Sequence, residues 1–148
     1  MGIRIITDSA SDMIAERVEN FEFIPLTVTF GEEEYLDGIN LSHQEFYEKL
    51  IENDELPHTS QATPFVFEEA YKRAVESGDE VLVITMSAKL SGTWQSAVTA
   101  AGSYEGKVFV VDSENVTVGE HALIDYAIRL RSPNKTVNES AAELESAK

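Results

Sequence analysis

The chain has 148 residues, 43% of them apolar, and sets 27 acidic side chains against 11 Lys and Arg for a formal net charge of −16. That length fits one ordinary domain, the apolar fraction is too high for intrinsic disorder, and no stretch approaches the ~20 consecutive apolar residues of a membrane span. So acidic a surface repels phosphate backbones and anionic headgroups, and the basic residues are scattered, so neither nucleic-acid binding nor stable membrane anchoring is expected.

The N-terminus, Met1-Gly2-Ile3-Arg4, runs directly into an apolar segment without a small-residue cleavage site, so a secretory leader is not expected. Residues 3–7 (IRIIT) read as a strand buried on both faces. Behind Ser11-Asp12, the spacing of Ile14, Val18 and Phe21 predicts a helix. Residues 26–30 (LTVTF) alternate and predict a strand with one wetter face. The acidic segment 31–40 (GEEEYLDGIN) reads as a surface turn around Asp37-Gly38. Ser42-His43-Gln44-Glu45 is a capping box, with Phe46, Tyr47, Leu50 and Ile51 on one stripe behind it.

Thr63-Pro64 supplies an N-cap and a first-turn proline ahead of Phe67, Ala70, Tyr71, Ala74 and Val75 at helical spacing. Residues 81–86 (VLVITM) and 108–111 (VFVV) are two more buried strands. Ser91-Gly92 opens a helix carrying Trp94, Ala97, Val98 and Ala101. Ala122, Leu123, Tyr126, Ala127 and Leu130 mark another, stopped near Ser132-Pro133. Alternating strands and helices define an α/β domain over 1–132, with a mostly parallel sheet flanked by helices. In the segment 133–148, Thr136-Val137-Asn138-Glu139 caps a last helix with only Val137, Leu144 and some alanines to bury. Such a helix is either frayed or the start of a connection to a second domain.

Ligands of parallel α/β sheets bind beyond the carboxyl ends of the strands. The loops there are 7–12, 87–93 and 112–115, and a fourth polar loop, 58–63, leads into a helix. All are hydroxyl-rich and stand at helix N-termini, where free N–H groups and a partial positive charge make an anion site without Lys or Arg. Each Ser or Thr taken singly is explained as an N-cap. Two features ask for more: loop 58–63 holds more hydroxyls than one cap needs, and Gly92 would let backbone approach a ligand closely. Ser9, Ser60, Gly92 and Thr93 in these loops are candidate secondary contacts.

Other chemistry has less support. The chain has no cysteine, which excludes disulfides, zinc thiolate sites and a thiol nucleophile and suits a reducing cytoplasm. There is no Walker A motif and no GxGxxG. Lys89 stands where a hydrolase nucleophile elbow has glycine. Ser91, His58 and Asp112 form a nominal triad, such as almost any α/β protein offers. Asp8, Asp12 and Asp112 could hold Mg²⁺, but Asp8 and Asp112 are more simply read as bonding loop amides, with Asp12 in a first helical turn, so no metal is expected. His43 and His121 read as solvated, and Trp94 as core.

Four pieces in order resemble the DegV family of bacterial lipid-binding proteins: Thr7-Asp8-Ser9-Ala10-Ser11-Asp12; Tyr35-Leu36-Asp37-Gly38 with Glu45-Phe46-Tyr47 behind it; Thr59-Ser60-Gln61-Ala62-Thr63-Pro64; and Leu90-Ser91-Gly92-Thr93-Trp94-Gln95-Ser96-Ala97. Val110-Val111-Asp112-Ser113 followed by Gly119 fits as well. The resemblance covers the N-terminal half of the family and implies a Rossmann-like domain whose second-domain partner is absent here.

It further implies a non-catalytic carrier, with no cofactor beyond a bound long-chain fatty acid. The carboxylate would be held by Thr59 and Ser91, with further contacts from basic residues of the second domain, and the acid presented to a separate ATP-dependent fatty acid kinase. Two positions depart from the pattern: Ala62 replaces a usual proline, and Glu120-His121 follows Gly119 where a second glycine is usual. An exposed tunnel wall would invite a homodimer. Two alternatives stand beside this reading. One is an enzyme at the same loops with His58 as its base; the other is an interaction domain docking a basic partner on Glu32-Glu33-Glu34.

Overall fold

Chain order among the described residues is β1 (Ile3–Asp8), β2 (Phe21–Ile24), β3 (Thr27–Phe30), β4 (Glu33–Leu36), α1 (His43–Glu52), β5 (His58–Ser60), α2 (Pro64–Glu76), β6 (Glu80–Thr85), α3 (Thr93–Ala101), β7 (Val108–Asp112), α4 (Val118–Leu130) and α5 (Val137–Ala147). The computed structural model describes residues 2–148, so Met1 of the N-terminal reading lies outside the described residues.

The strands form two sheets. A parallel sheet runs β2-β1-β6-β7, and an antiparallel one runs β4-β3-β5. In the parallel sheet Ile6 pairs with Val83 and Val83 with Val110, which fixes the register of the three central strands. Every second residue faces the opposite layer. Ile6, Val81 and Val83 pack with Phe67, Tyr71 and Ala97 under α2 and α3. Ile5, Leu82, Ile84 and Val111 pack with Leu123, Ile124 and Leu144 under α4 and α5. Both faces are covered, which is why these strands read as continuous apolar runs rather than alternating ones.

The segment 26–30 is a strand, but in the antiparallel sheet: Val28 pairs with Tyr35 on one side and Thr59 on the other. The small sheet has its own core of Val28, Phe30 and Leu41, capped by Tyr35 and Phe46. The 31–40 segment, read as a turn, holds β4, reached through Gly31 at φ 61°. The Ser42 capping box forms as expected, but α1 has no fully buried residue. Only part of its predicted stripe is used: Phe46 stacks on Phe30 at 5.7 Å, while Tyr47 and Ile51 are exposed.

The helix expected over Ile14, Val18 and Phe21 does not exist. The chain makes two single 3₁₀ turns, Ser9–Ser11 and Ala15–Arg17, and Phe21 opens β2. The physical cause is local. Asp8 accepts from the Ala10 amide at 3.1 Å, the Ser11 hydroxyl donates to the Asp8 carbonyl at 2.9 Å, and Asp12 ends the turn in the left-handed region at φ 57°. Such side-chain bonds compete with helix propagation. Asp12 therefore closes a 3₁₀ turn instead of opening a helix. Thr63 also departs from expectation: it adopts N-cap geometry but its hydroxyl makes no cap bond.

Helix α5 is neither bare nor frayed. Thr136 and Glu139 form the capping box, and Val137, Ser140, Ala141 and Leu144 are buried against β7 and α4. Tyr126 of α4 donates to Glu143 at 2.6 Å, which also pairs with Lys135. Leu144→Ala is expected to cost about 3 kcal/mol of stability, since it empties a closed apolar site. A urea titration showing less than about 1 kcal/mol of loss would place α5 outside the cooperative unit.

Candidate functional site

Loop 86–92 is held from both sides by carboxylates at strand ends. Asp8 closes β1 and accepts from the Met86 amide at 2.7 Å. Asp112 closes β7 and accepts from the amides of Ala88 at 3.2 Å and Glu114 at 2.9 Å. The Ser87 amide donates to the carbonyl of Asn115 at 2.8 Å. The oxygens of both aspartates are thus engaged by loop amides rather than turned toward a cation. Among the described residues no group of three or more His, Cys, Asp or Glu could hold a metal ion.

The loop so held meets strand β5 across a cavity of about 280 Å³. Thr59, Ser60 and Gln61 line it from the small sheet; Ser91 and Gly92 line it from the start of α3; Leu26, Met86 and Leu90 supply apolar wall. None of these carries a positive charge. Both helices that start here, α2 and α3, lack a side-chain cap. Their dipoles and first-turn amides favour negative charge nearby.

Four of the six candidate contacts meet in this cavity: Thr59, Ser60, Ser91 and Gly92. Thr93 does not line it. Its side chain is fully buried behind Ser91, with the two hydroxyl oxygens 2.9 Å apart. Ser9 does not line it either. Its hydroxyl accepts from the Leu26 amide at 3.0 Å, tying the β1 loop to the chain where it enters the small sheet. The nominal triad is not assembled: the Ser91 hydroxyl is bonded to Thr93, Asp112 to amides, and His58 is an exposed residue of β5 outside the cavity lining. Trp94, read as core, is only half-buried; α3 buries its small residues Thr93, Ser96, Ala97 and Ala100 instead, which brings the helix close to the sheet.

Gly92 permits a close approach, but by protein. A Cβ there would stand 2.0 Å from Oε1 of Gln61, whose Nε2 donates to the Ser96 hydroxyl at 3.4 Å. Gln61, which the sequence reading passed over, thus lays the β5 strand end across the start of α3. Gly119 works alike: a Cβ would meet Oδ1 of Asn115 at 2.4 Å.

Glu120 was also missed as a site-supporting group. It is fully buried, and Thr7 donates to its Oε1 at 3.2 Å while Oε2 has no hydrogen-bond partner among the described residues. Burial, and then the charge of nearby Asp8, push its pKa up to about 10. Burial also raises Asp8, against the lowering effect of its amide bonds. Glu120 is therefore a neutral acid at pH 7, able to donate toward Asp8. The signal was available: Glu120 stands three, four and seven residues before Leu123, Ile124 and Ala127, on the buried face of α4.

A parallel α/β sheet with a hydroxyl-lined cavity beyond its strand ends, completed by a small antiparallel lobe, defines the class. The chain belongs to the DegV family, whose model, described as "Uncharacterised protein, DegV family", matches residues 2–148. A DegV domain-containing protein of Clostridium perfringens is 39% identical over 145 residues, covering 96% of this chain and 52% of that protein. A DegV family protein of Thermus thermophilus, described by its fatty acid binding, superposes with TM-score 0.87 at 34% identity, over 99% of this chain and 53% of that one. DegV of Bacillus subtilis, described as a fatty acid binding protein, gives TM-score 0.85 at 32% identity, over 99% and 53%. The chain spans about half the length of the curated relatives it matches.

Two expectations follow. In an unfolded chain Glu120 titrates near 4.5, and in the folded chain near 10. The stability it contributes is present below about 4.5 and is lost as pH rises toward 10, at up to about 1.4 kcal/mol per pH unit. Glu120→Gln keeps a neutral donor and should remove that slope, so its stability advantage over wild type grows between pH 5 and 9 in paired denaturant titrations. A constant difference would show that Glu120 is not protonated in the fold. Second, Gly92→Ala should cost about 2 kcal/mol through overpacking against Gln61, and much less in a Gln61→Ala background. Additive losses would deny the contact.

Proposed function

We propose that the cavity between β5 and α3 receives the carboxylate of a long-chain fatty acid, with Thr59 and Ser91 as its donors and Ser60 and Gly92 beside them. One observation carries the reading: hydroxyls from the small sheet and from the loop between β6 and α3 converge on one cavity whose wall holds apolar residues and no cation. The described binding of similar DegV structures supports it. A cavity of about 280 Å³ sits at the lower edge of the ~300–1,000 Å³ typical of small-molecule sites. It is a size for a head group, and the acyl chain must run on beyond it.

The chain then acts as a binding module and not as a catalyst, with the fatty acid as its ligand and no cofactor. Its soluble partner is an ATP-dependent fatty acid kinase, a role that rests on the family resemblance and fits a cytoplasmic setting. Among the described residues no helix is long and apolar enough to cross a membrane. Exposed apolar side chains such as Phe65 and Leu90 provide a face for a second domain or for a second copy.

Hydrogen bonds to a charged group contribute about 1.5–3 kcal/mol. Ser91→Ala and Thr59→Ala should each weaken palmitate binding by at least about tenfold in a chain carrying both domains, read by calorimetry. Unchanged affinity in the double variant would remove the site. Organic extraction of the purified protein followed by mass spectrometry should return a stoichiometric fatty acid.

A further inference from the structure

The pair of hydroxyls behind the cavity fixes which way its protons point. Thr93 is fully buried, and its Oγ1 has one hydrogen-bonding partner among the described residues, Ser91 Oγ at 2.9 Å. A buried hydroxyl whose proton finds no acceptor is costly, so Thr93 donates to Ser91. Ser91 Oγ also accepts from the Thr93 amide at 3.2 Å. A hydroxyl oxygen has two lone pairs and one proton. Both lone pairs of Ser91 are thereby occupied from within the protein, and only its proton is left. Ser91 is half-buried and lines the cavity, so that proton is what a ligand meets.

We infer that Thr93 is a specificity-determining residue: it makes Ser91 an obligate donor, so that the cavity selects head groups that only accept hydrogen bonds over those that must donate. The inference rests on the proposed carboxylate site and assigns its selectivity to a residue that does not touch the ligand. Thr93 is a positioning residue acting through Ser91. A serine with a free lone pair would rotate and serve either kind of head group. In an acidic protein this matters, because the long-range field favours cationic amphiphiles over anionic ones.

The test uses two probes of equal chain length and opposite demand at pH 8: palmitate, which only accepts, and hexadecylamine, which as an ammonium only donates. Their affinities are compared in wild type, Thr93→Val and Thr93→Ser, in a chain carrying both domains. Thr93→Val should lower the palmitate-to-amine preference by about tenfold, the equivalent of one charge-assisted hydrogen bond. Thr93→Ser, which keeps the hydroxyl, should restore it. A loss of packing alone would weaken both probes and leave the ratio unchanged, and that result overturns the inference while leaving Ser91 as a contact. A wild type that binds neither probe overturns the carboxylate site itself.

A second measurement needs no ligand. In proton NMR of the free chain, the Thr93 hydroxyl proton should exchange slowly with water and the Ser91 hydroxyl proton rapidly. The reverse pattern overturns the inference whatever the binding result.

Discussion

The clamp on loop 86–92 is the constraint on which the site depends. Asp8 and Asp112 end strands that flank β6, and each takes an amide of the loop that leaves β6. A carboxylate bonded to backbone amides holds loop geometry more firmly than a neutral side chain does, because the acceptor is charged. Met86 is fixed on one side and Ala88 on the other, so the chain must turn and enter α3 where Ser91 faces β5. The same Asp8 serves Ala10, and Ser9 serves Leu26, so the β1 loop, the loop after β6 and the entry to the small sheet form one connected piece.

This connectivity explains the cost accepted at Glu120. A buried acid beside a buried aspartate is unfavourable as a pair of charges, and the raised pKa is the relief. Keeping Glu120 protonated supplies a donor where Asp8 still has acceptor capacity, and fastens the start of α4 to the end of β1 through Thr7 as well. Stability falls as that proton is drawn away, while the amides of Met86 and Ala10 hold Asp8 at the loops it joins.

Three strands of the parallel sheet, β1, β6 and β7, were legible because they are short and apolar on both faces, whereas the edge strand β2, with Glu22 in it, was not. The helices with capping boxes, α1 and α5, were legible for the same kind of reason: Ser42–Glu45 and Thr136–Glu139 are self-contained local bonds. What misled was periodicity over few residues. Ile14, Val18 and Phe21 fit a helix, but Asp8, Ser11 and Asp12 divert the backbone first. The small sheet was hidden because its edge strands are exposed and carry polar residues, as in β5, where all three are exposed. Thr59 and Ser91 were found through the resemblance and the hydroxyl count. Gln61 and Thr93 were harder, since their roles depend on contacts 35 residues away in one case and on proton direction in the other.

A chain of net charge −16 cannot attract a fatty-acid carboxylate from a distance. Under the proposed reading, affinity is made at contact, in two parts of different kind. The acyl chain contributes about 0.8 kcal/mol for each buried CH₂ and is indifferent to charge. In that reading the head contributes less, and the cavity meets it with the neutral hydroxyls of Thr59 and Ser91. The two sheets bring different groups to the cavity, the small one Thr59 and the large one, through the loop after β6, Ser91, with Gln61 across Gly92 as the join between them.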